Sequence, residues 1–194
     1  MSMVSLVSGG LDSTTMSILA KEEGIQQFPL FLDYGQLCAN MEWKTCLAMH
    51  VRNKLPKPVY MNLKGFGKMV PSGITNRSLR INEDAFLPGR NLLFLLAGAA
   101  YAYHVKANCV GIGLLDEKYS IFPDQTGEFL RNCESLLRSA MGFNIRVVAP
   151  LIKFSKQDVL ALAKGKGLAG TYSCHSGKHK PCGLCVSCVE RRKP

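Results

Sequence analysis

The chain has 194 residues and a formal net charge of +10, and 47% of its residues are hydrophobic. This length fits one domain with a small appendage, and this composition excludes an intrinsically disordered chain. No apolar run approaches the roughly 20 residues of a membrane span, and the N-terminus lacks a signal-peptide pattern. We therefore expect a cytoplasmic protein that engages no membrane. Its basic residues are dispersed, with modest clusters at SGKHKP and ERRKP, and form a solvated surface that suits anions.

Short apolar segments alternate along the chain with segments whose apolar residues recur at helical spacing. In chain order, the sequence predicts a strand at 3–7, a helix at about 12–22, a strand at 28–35, a helix at about 36–52, a strand at 58–63, a helix at 90–105, a strand at 108–115, a helix at about 126–141, a strand at 145–151 and a last helix that runs to about 166. This alternation predicts an α/β fold with a doubly wound, mostly parallel five-stranded sheet.

Three parts of this series carry further information. Residues 64–87 show no clear period and are rich in Gly, Asn, Ser and Arg, which predicts a long functional loop. Residues 90–105 are apolar nearly all round, which predicts a buried helix that is too short to cross a membrane. Ser155 is expected to cap the last helix, with Asp158 at the third helical position.

The segment SGGLDS, residues 8–13, lies at the turn between the first strand and the first helix. Ligands of doubly wound sheets bind at this edge, beyond the carboxyl ends of the strands. Glycines let the backbone approach an anion closely, and the N–H groups and dipole of a helix start favour negative charge. Because Ser8 and Ser13 add hydroxyl donors, the segment predicts a phosphate site.

The spacing of this loop excludes two common nucleotide motifs. The sequence contains neither G-x-x-x-x-G-K-[ST] nor G-x-G-x-x-G. S-G-G-x-D-S instead resembles the pyrophosphate loop of the N-type ATP pyrophosphatases, which cleave ATP between its α and β phosphates and adenylate a substrate oxygen. Asp12 either holds the loop or helps to place Mg²⁺, and both roles stay open. The resemblance implies that the phosphates of ATP bind to Ser8, Gly9, Gly10, Leu11, Asp12 and Ser13.

Four of the eight cysteines crowd the last 21 residues with the spacing C-x7-C-x2-C-x2-C: Cys174, Cys182, Cys185 and Cys188. Four thiolates at this spacing can surround Zn²⁺ tetrahedrally, and a closed shell of four cysteines indicates a structural metal. His175 and His179 are substitute ligands, although four cysteines already fill the shell. We therefore expect an ATP pyrophosphatase domain at 1–168 and a zinc-binding tail at 169–194.

Loop and tail together resemble the QueC family, the 7-cyano-7-deazaguanine synthases of queuosine precursor biosynthesis. The resemblance covers essentially the whole chain and implies the adenine nucleotide alpha-hydrolase-like variant of the Rossmann-like fold. Further segments match motifs of this family in order: LDYGQ (32–36), PGRN (88–91), FPD (122–124) and PLIKFSK (150–156).

The resemblance implies a reaction in which 7-carboxy-7-deazaguanine and ammonia give the nitrile at the expense of two molecules of ATP. It implies that Lys156 binds pyrophosphate, that Arg90 pairs with an anion and that Asn91 faces the site. Asp124 would bind Mg²⁺ or the substrate base. Asp33 either contributes to the nucleotide site or simply ends its strand.

The sequence departs from the family at two places. GQLC (35–38) lacks an Arg-His pair, and FPDQT (122–126) lacks a Cys-Arg pair. Both departures lie beyond strand ends, where the second substrate is expected. Three hypotheses therefore stay open. The first is a nitrile synthase. The second is a QueC-like ligase that stops at an amide or joins the deazapurine acid to a protein or another amine, as in anti-phage defence, and the third is a tRNA-modifying enzyme with an RNA acceptor. A homodimer is a further expectation.

Overall fold

A computed structural model of the protein describes residues 1–192; the end of the ERRKP cluster and of the predicted tail, Lys193 and Pro194, lies outside the described residues. Five parallel strands form one sheet in the order β3-β2-β1-β4-β5. The strands are β1 (Ser2–Val7), β2 (Gln26–Asp33), β3 (Val59–Asn62), β4 (Cys109–Gly111) and β5 (Arg146–Val148). The helices are α1 (Leu11–Glu22), α2 (Ala39–Arg52), α3 (Lys64–Met69), α4 (Arg90–Val105), α5 (Gly127–Met141), α6 (Lys156–Gly165) and α7 (Val186–Glu190).

Helices cover both faces of the sheet, as the side chains of β1 show. Val4 and Leu6 join the main core, which includes residues of α4 and α5. Met3, which faces the other way, packs with Ala20 of α1 and with Cys109. Successive side chains of a strand point to opposite faces, so β1 is buried from both sides. The predicted doubly wound parallel sheet is confirmed.

The segment 64–87 was expected to be a loop throughout, and this expectation is wrong at its start, where α3 forms. Glycine lowers helix propensity, so KGFGKM gives little helical signal in the sequence. The structure nevertheless requires glycine at position 67, because a side chain there would collide with the carbonyl of Tyr34. The Gly67 N–H donates to that carbonyl at 2.9 Å, which fixes α3 against the end of β2.

Helix α2 begins at Ala39, three residues later than predicted. The side chain of Gln36 holds the preceding turn, because its Oε1 accepts from the N–H of Tyr34 at 2.9 Å. Its Nε2 donates to the Leu32 carbonyl at 3.2 Å. These bonds keep the chain near the strand end before the helix can start.

Helix α4 has the predicted bounds, but the expectation that it is buried all round is wrong. Leu92, Leu96 and Tyr103 are exposed on one face. At the other end of the fold, α6 has the predicted capping box: Ser155 Oγ accepts from the Asp158 N–H at 3.1 Å, and Asp158 Oδ2 accepts from the Ser155 N–H at 2.8 Å. No helix within residues 1–192 is long and apolar enough to span a bilayer.

Candidate functional site

The phosphate loop, defined as residues 8–13, lies at the carboxyl end of β1 and leads directly into α1. Its serines shape it from within: the Ser8 N–H donates to Ser13 Oγ at 3.2 Å, and the Gly10 N–H donates to Ser8 Oγ at 3.2 Å. Among the described residues, no side chain caps α1 at Gly10. The first N–H groups of α1 are therefore donors suited to an anion.

Close backbone packing fixes the course of the phosphate loop. Gly9 has a φ of +77°, and a side chain there would collide with the backbone of Cys46 in α2. On the opposite side, a Cβ at Gly113 would lie 3.1 Å from the nitrogen of Ser13. The side chain of Leu11 is buried in a core cluster that includes Leu151, so Leu11 can offer a ligand only its backbone.

An ion pair joins the phosphate loop to the start of α6. Lys156 Nζ lies 2.9 Å from Asp12 Oδ1 and 2.8 Å from Asp12 Oδ2. The pair is mostly shielded from solvent, with exposed side-chain fractions of 12% for Lys156 and 27% for Asp12. This geometry agrees with a role for Asp12 in holding the loop. It also places the Lys156 ammonium, which is predicted to bind pyrophosphate, at the loop itself.

The start of α4 supplies Arg90 and Asn91. The guanidinium carbon of Arg90 lies 6.0 Å from the ring centres of both Tyr34 and Phe94, at the limit of a cation–π contact. Burial raises the pKa of the Tyr34 hydroxyl, while the charge of Arg90 opposes this rise. Arg90 is thus held over an aromatic surface, with its charge close to buried polar groups.

Asp124 supports the start of α4 and is not part of either cavity wall among the described residues. Its carbonyl accepts from Asn91 Nδ2 at 2.8 Å, and its Oδ2 accepts from the Asn91 N–H at 3.4 Å. Its Oδ1 is buried and has no hydrogen-bond partner within residues 1–192. Asp124 therefore positions Asn91, and its remaining oxygen is placed to accept a further bond.

Asp33 lies apart from the other predicted site residues. It is 2% exposed, and its carboxylate accepts from the Gly35 N–H at 3.0 Å and from the Tyr60 hydroxyl. Its Oδ2 also lies 3.4 Å from Lys64 Nζ. Since these groups occupy the carboxylate and Asp33 lines neither cavity, the geometry favours the alternative in which Asp33 ends its strand.

Two cavities meet at the phosphate loop. The inner cavity, of about 230 Å³, opens at the carboxyl ends of β1, β2 and β4; the outer cavity, of about 720 Å³, lies between the 113–121 segment, the start of α6 and α7. Asp12, Gly113 and Leu114 line both. The predicted residues on the inner wall are Ser8, Gly10, Asp12, Ser13, Arg90 and Asn91, whereas Lys156 lines the outer cavity.

The inner wall also contains polar residues to which the sequence assigned no role in substrate binding. Gln36 Nε2 donates to Glu42 Oε2 at 2.9 Å. Burial raises the pKa of Glu42, while hydrogen bonds from Gln36 and Cys38 oppose the rise. Tyr172, Ser173 and His175 line the same cavity from the tail. The signal for Glu42 was its place just downstream of GQLC, one of the two segments near which the second substrate is expected; nothing in the sequence indicated that the tail reaches the cavity.

The four tail cysteines form a cluster whose sulfur atoms all lie within 4.8 Å of one another. The Cys182 N–H donates to Cys174 Sγ at 3.3 Å, and the Cys185 N–H donates to Cys182 Sγ at 3.4 Å. Burial opposes ionisation of Cys174, but hydrogen bonds from Ser176 and the Cys182 backbone lower its pKa to about 6. Four thiols at this separation, with N–H groups aimed at sulfur, fit a tetrahedral Zn²⁺ ion. Neither His175 nor His179 belongs to the cluster found among the described residues.

Fold and site define an α/β protein with a loop of glycines and serines suited to an anion after its first strand and a four-cysteine cluster near its end. A solved structure described as a predicted subunit of tRNA methyltransferase from Methanocaldococcus jannaschii is similar, with a TM-score of 0.57 and 16% identity over 84% of this chain and 74% of that chain. At this identity the likeness concerns the fold alone, and it agrees with the fold class predicted from the sequence.

The family described as Queuosine biosynthesis protein QueC matches residues 2–194, and the chain belongs to this family. The 7-cyano-7-deazaguanine synthase of Prochlorococcus marinus is 32% identical, with 98% of this chain and 92% of that protein covered. The 7-cyano-7-deazaguanine synthase of Desulfitobacterium hafniense is 33% identical, with 98% and 86% covered. The resemblance seen in the sequence, and with it the expectation of a QueC-type enzyme, is confirmed.

Proposed function

We propose that the protein uses ATP to adenylate 7-carboxy-7-deazaguanine and converts the product with ammonia to 7-cyano-7-deazaguanine, releasing AMP and pyrophosphate. The observation that carries this proposal is the phosphate loop, whose uncapped helix start and serine hydroxyls border a cavity lined by Arg90 and Asn91. Membership of the QueC family and the names of the relatives support the choice of acid.

The phosphates of ATP would accept hydrogen bonds from the first N–H groups of α1 and from the hydroxyls of Ser8 and Ser13. Lys156 lies at the border of the phosphate loop, where it can exchange its bond to Asp12 for one to the leaving pyrophosphate. Asp12 would then be released as a carboxylate that can hold Mg²⁺. The ion would shield the negative charge on the phosphate oxygens.

Each ATP would be consumed in an in-line displacement. In the first step, a carboxylate oxygen of the acid attacks the α-phosphorus and pyrophosphate leaves; ammonia then attacks the acyl carbon, AMP leaves and an amide forms. In the second, the amide oxygen is adenylated, and loss of AMP and the amide protons gives the nitrile. Arg90 would stabilise the anions that form in this low-dielectric cavity, and Asn91 would orient the acid from the same helix start.

We further propose that residues 1–168 form the catalytic domain and that residues 169–194 form a tail held by structural Zn²⁺. A four-cysteine shell leaves no open position for substrate, so the ion would supply folding energy rather than chemistry. The tail nevertheless lies at the site, because Tyr172 and Ser173 line the inner cavity.

A second candidate product is favoured by the outer cavity and by GQLC. The outer cavity is far larger than ammonia requires. In GQLC, Cys38 does not replace the missing Arg-His pair as a substrate contact, because its side chain is 1% exposed and bonded to Glu42. A ligase that stops at the amide, or joins the acid to a protein or another amine, agrees with both features. An RNA acceptor and a homodimer stay predictions; the exposed face of α4 with Leu92 and Leu96 is a surface on which pairing can be tested.

The test is to incubate the protein with ATP, Mg²⁺, ammonium and 7-carboxy-7-deazaguanine and to follow AMP and product mass. A nitrile supports the first proposal, an amide or a protein adduct supports the second, and absence of AMP refutes both. Ser8→Ala should reduce AMP formation by about tenfold or more, because it removes a donor to phosphate. Ser2→Ala, at the other end of β1, is the matched control and should behave as the unmodified protein.

A further inference from the structure

The tail docks directly on the phosphate loop. The Tyr172 N–H donates to the Gly9 carbonyl at 3.1 Å. An added Cβ at Gly10 would lie 3.6 Å from both the Ser173 hydroxyl and the Tyr172 carbonyl. The segment that enters the cysteine cluster therefore forms a wall of the inner cavity before it reaches the first thiol, Cys174.

His175 is held rigidly at that wall. It follows the cluster residue Cys174, and its own N–H donates to the sulfur of a second cluster residue, Cys185. Two residues further on, a side chain at Gly177 would collide with the carbonyl of Leu37. The backbone of His175 is thus fixed by the cluster on one side and by the Leu37 turn on the other, which places the imidazole at the cavity wall.

One ring nitrogen of His175 has no hydrogen-bond partner among the described residues: Nδ1 is buried and unpaired within residues 1–192. Leaving a buried polar atom unpaired costs free energy, and most such atoms in native structures have a partner, so an unpaired one requires an explanation. Because His175 lines the inner cavity, a ligand there can supply the missing bond.

The neighbours of His175 indicate which ligand this is. The donors expected to take the phosphates come from the phosphate loop and from Lys156. His175 instead shares the wall of the inner cavity with Arg90. A guanidinium and an imidazole on the wall of one cavity suit the carboxylate and ring heteroatoms of a planar aromatic acid, because one supplies charge and the other directional hydrogen bonding.

We propose that His175 binds the acid substrate beside Arg90, so that the metal-binding tail supplies a residue that determines substrate specificity. This inference rests on the proposed function, since it concerns the acid that the enzyme adenylates. The cluster then has a second consequence beyond folding: it fixes the position of a group that contacts substrate.

The test compares His175→Ala and His175→Asn with the unmodified protein in the AMP-forming assay. His175→Ala should raise KM for the acid by about tenfold, the loss expected for one hydrogen bond, and leave KM for ATP unchanged. His175→Asn should restore part of the loss, because the Asn amide places a polar atom near the position of Nδ1. His179→Ala, an exposed histidine in the same tail, is the control. Zinc content and calorimetric binding of the acid are measured for every variant.

Three results would overturn the inference: an unchanged KM for the acid, an equal rise in KM for ATP, or loss of zinc from both His175 variants, which would make the role structural. If the unmodified protein forms no AMP from the acid, the proposed function fails and the inference falls with it. If the unmodified protein is active and His175→Ala matches it, only the inference fails.

Discussion

The phosphate loop and the cysteine tail meet at one site but are held in opposite ways. The loop is fixed by the core of the sheet, because Gly9 packs against α2 and Leu11 is buried with residues of α6. The tail has a small cluster of its own, in which Cys174, Cys185 and Cys188 are themselves the buried residues. One wall of the site is therefore shaped by packing, whereas the other depends on what the thiols bind.

The contact between Tyr172 and Gly9 makes this difference testable. Loss of metal should disorder the tail and leave the loop in place, since Gly9 and Leu11 are held by contacts that do not involve the four tail cysteines. Strain in the loop should do the reverse and weaken nucleotide binding without release of metal.

The largest effect is expected from Cys185→Ser, which removes a fully buried thiol from the cluster. Structural zinc contributes about 10–16 kcal/mol of binding free energy in zinc-finger peptides, so the tail should lose zinc and unfold while the sheet stays folded. Metal analysis and amide hydrogen exchange of residues 172–190 check this. Cys133→Ala, a buried cysteine in α5, is the control and should keep its zinc. Retained zinc and protection in Cys185→Ser would show that packing alone holds the tail.

The next largest effect is expected from Gly9→Ala. The residue has a φ of +77°, and the new Cβ would collide with the Cys46 backbone, so we expect a loss of roughly 2 kcal/mol or more in unfolding free energy. Chemical denaturation and ATP binding measure it, and zinc content should be unchanged. Gly24→Ala is the matched control, because its φ of +66° is similar but nothing lies within 4 Å; it should cost only about 1 kcal/mol. Equal losses in the two variants would mean that the contact with α2 contributes nothing.

The difference between local and long-range contacts explains which features the sequence could predict. The five strands, the phosphate loop and the Ser155 capping box are encoded in short stretches, in which apolar spacing, glycines and cap residues act locally. Helix α3 gave no such signal, because its Gly67 is required by a contact with Tyr34, which lies 33 positions earlier in the chain.

The site combines residues that no local pattern connects. Asp12 and Lys156 are 144 positions apart in sequence, and only the fold makes them an ion pair. The cysteine spacing correctly indicated that the four tail thiols lie together, but it gave no reason to expect His175 on the same cavity wall as Arg90. Roles for Arg90, Asn91 and Asp124 stay predictions; of these, Asp124 lies behind Asn91 rather than on a cavity wall.

A smaller effect on stability is expected from Lys156→Gln, which breaks the link between the loop and α6. Asp12 keeps 27% of its side chain exposed, so water can solvate the carboxylate once the ammonium is gone, and the loss should cost about 1 kcal/mol of unfolding free energy. ATP turnover should fall by a larger factor, about 100-fold, if the ammonium stabilises the leaving pyrophosphate. Steady-state kinetics and denaturation separate the two effects. Lys153→Gln, just before α6, is the control for charge alone; a similar fall in turnover there would contradict a specific role for Lys156.

The smallest effect is expected at the cap of α6, where hydrogen bonds from the Ser155 hydroxyl and N–H lower the pKa of Asp158 below its usual value of 3.8. Because the folded pKa is the lower one, this carboxylate contributes stability above its unfolded pKa, and the contribution is lost as pH falls through the folded pKa. Asp158→Asn should therefore remove a small acid-dependent part of the melting temperature, measured from about pH 7 down to about pH 3. Glu23→Gln, at an exposed carboxylate, is the control. Since α6 is joined to the phosphate loop through Lys156, the difference in melting temperature between Asp158→Asn and the unmodified protein should persist after zinc is chelated. Its disappearance on chelation would show that the tail also supports α6.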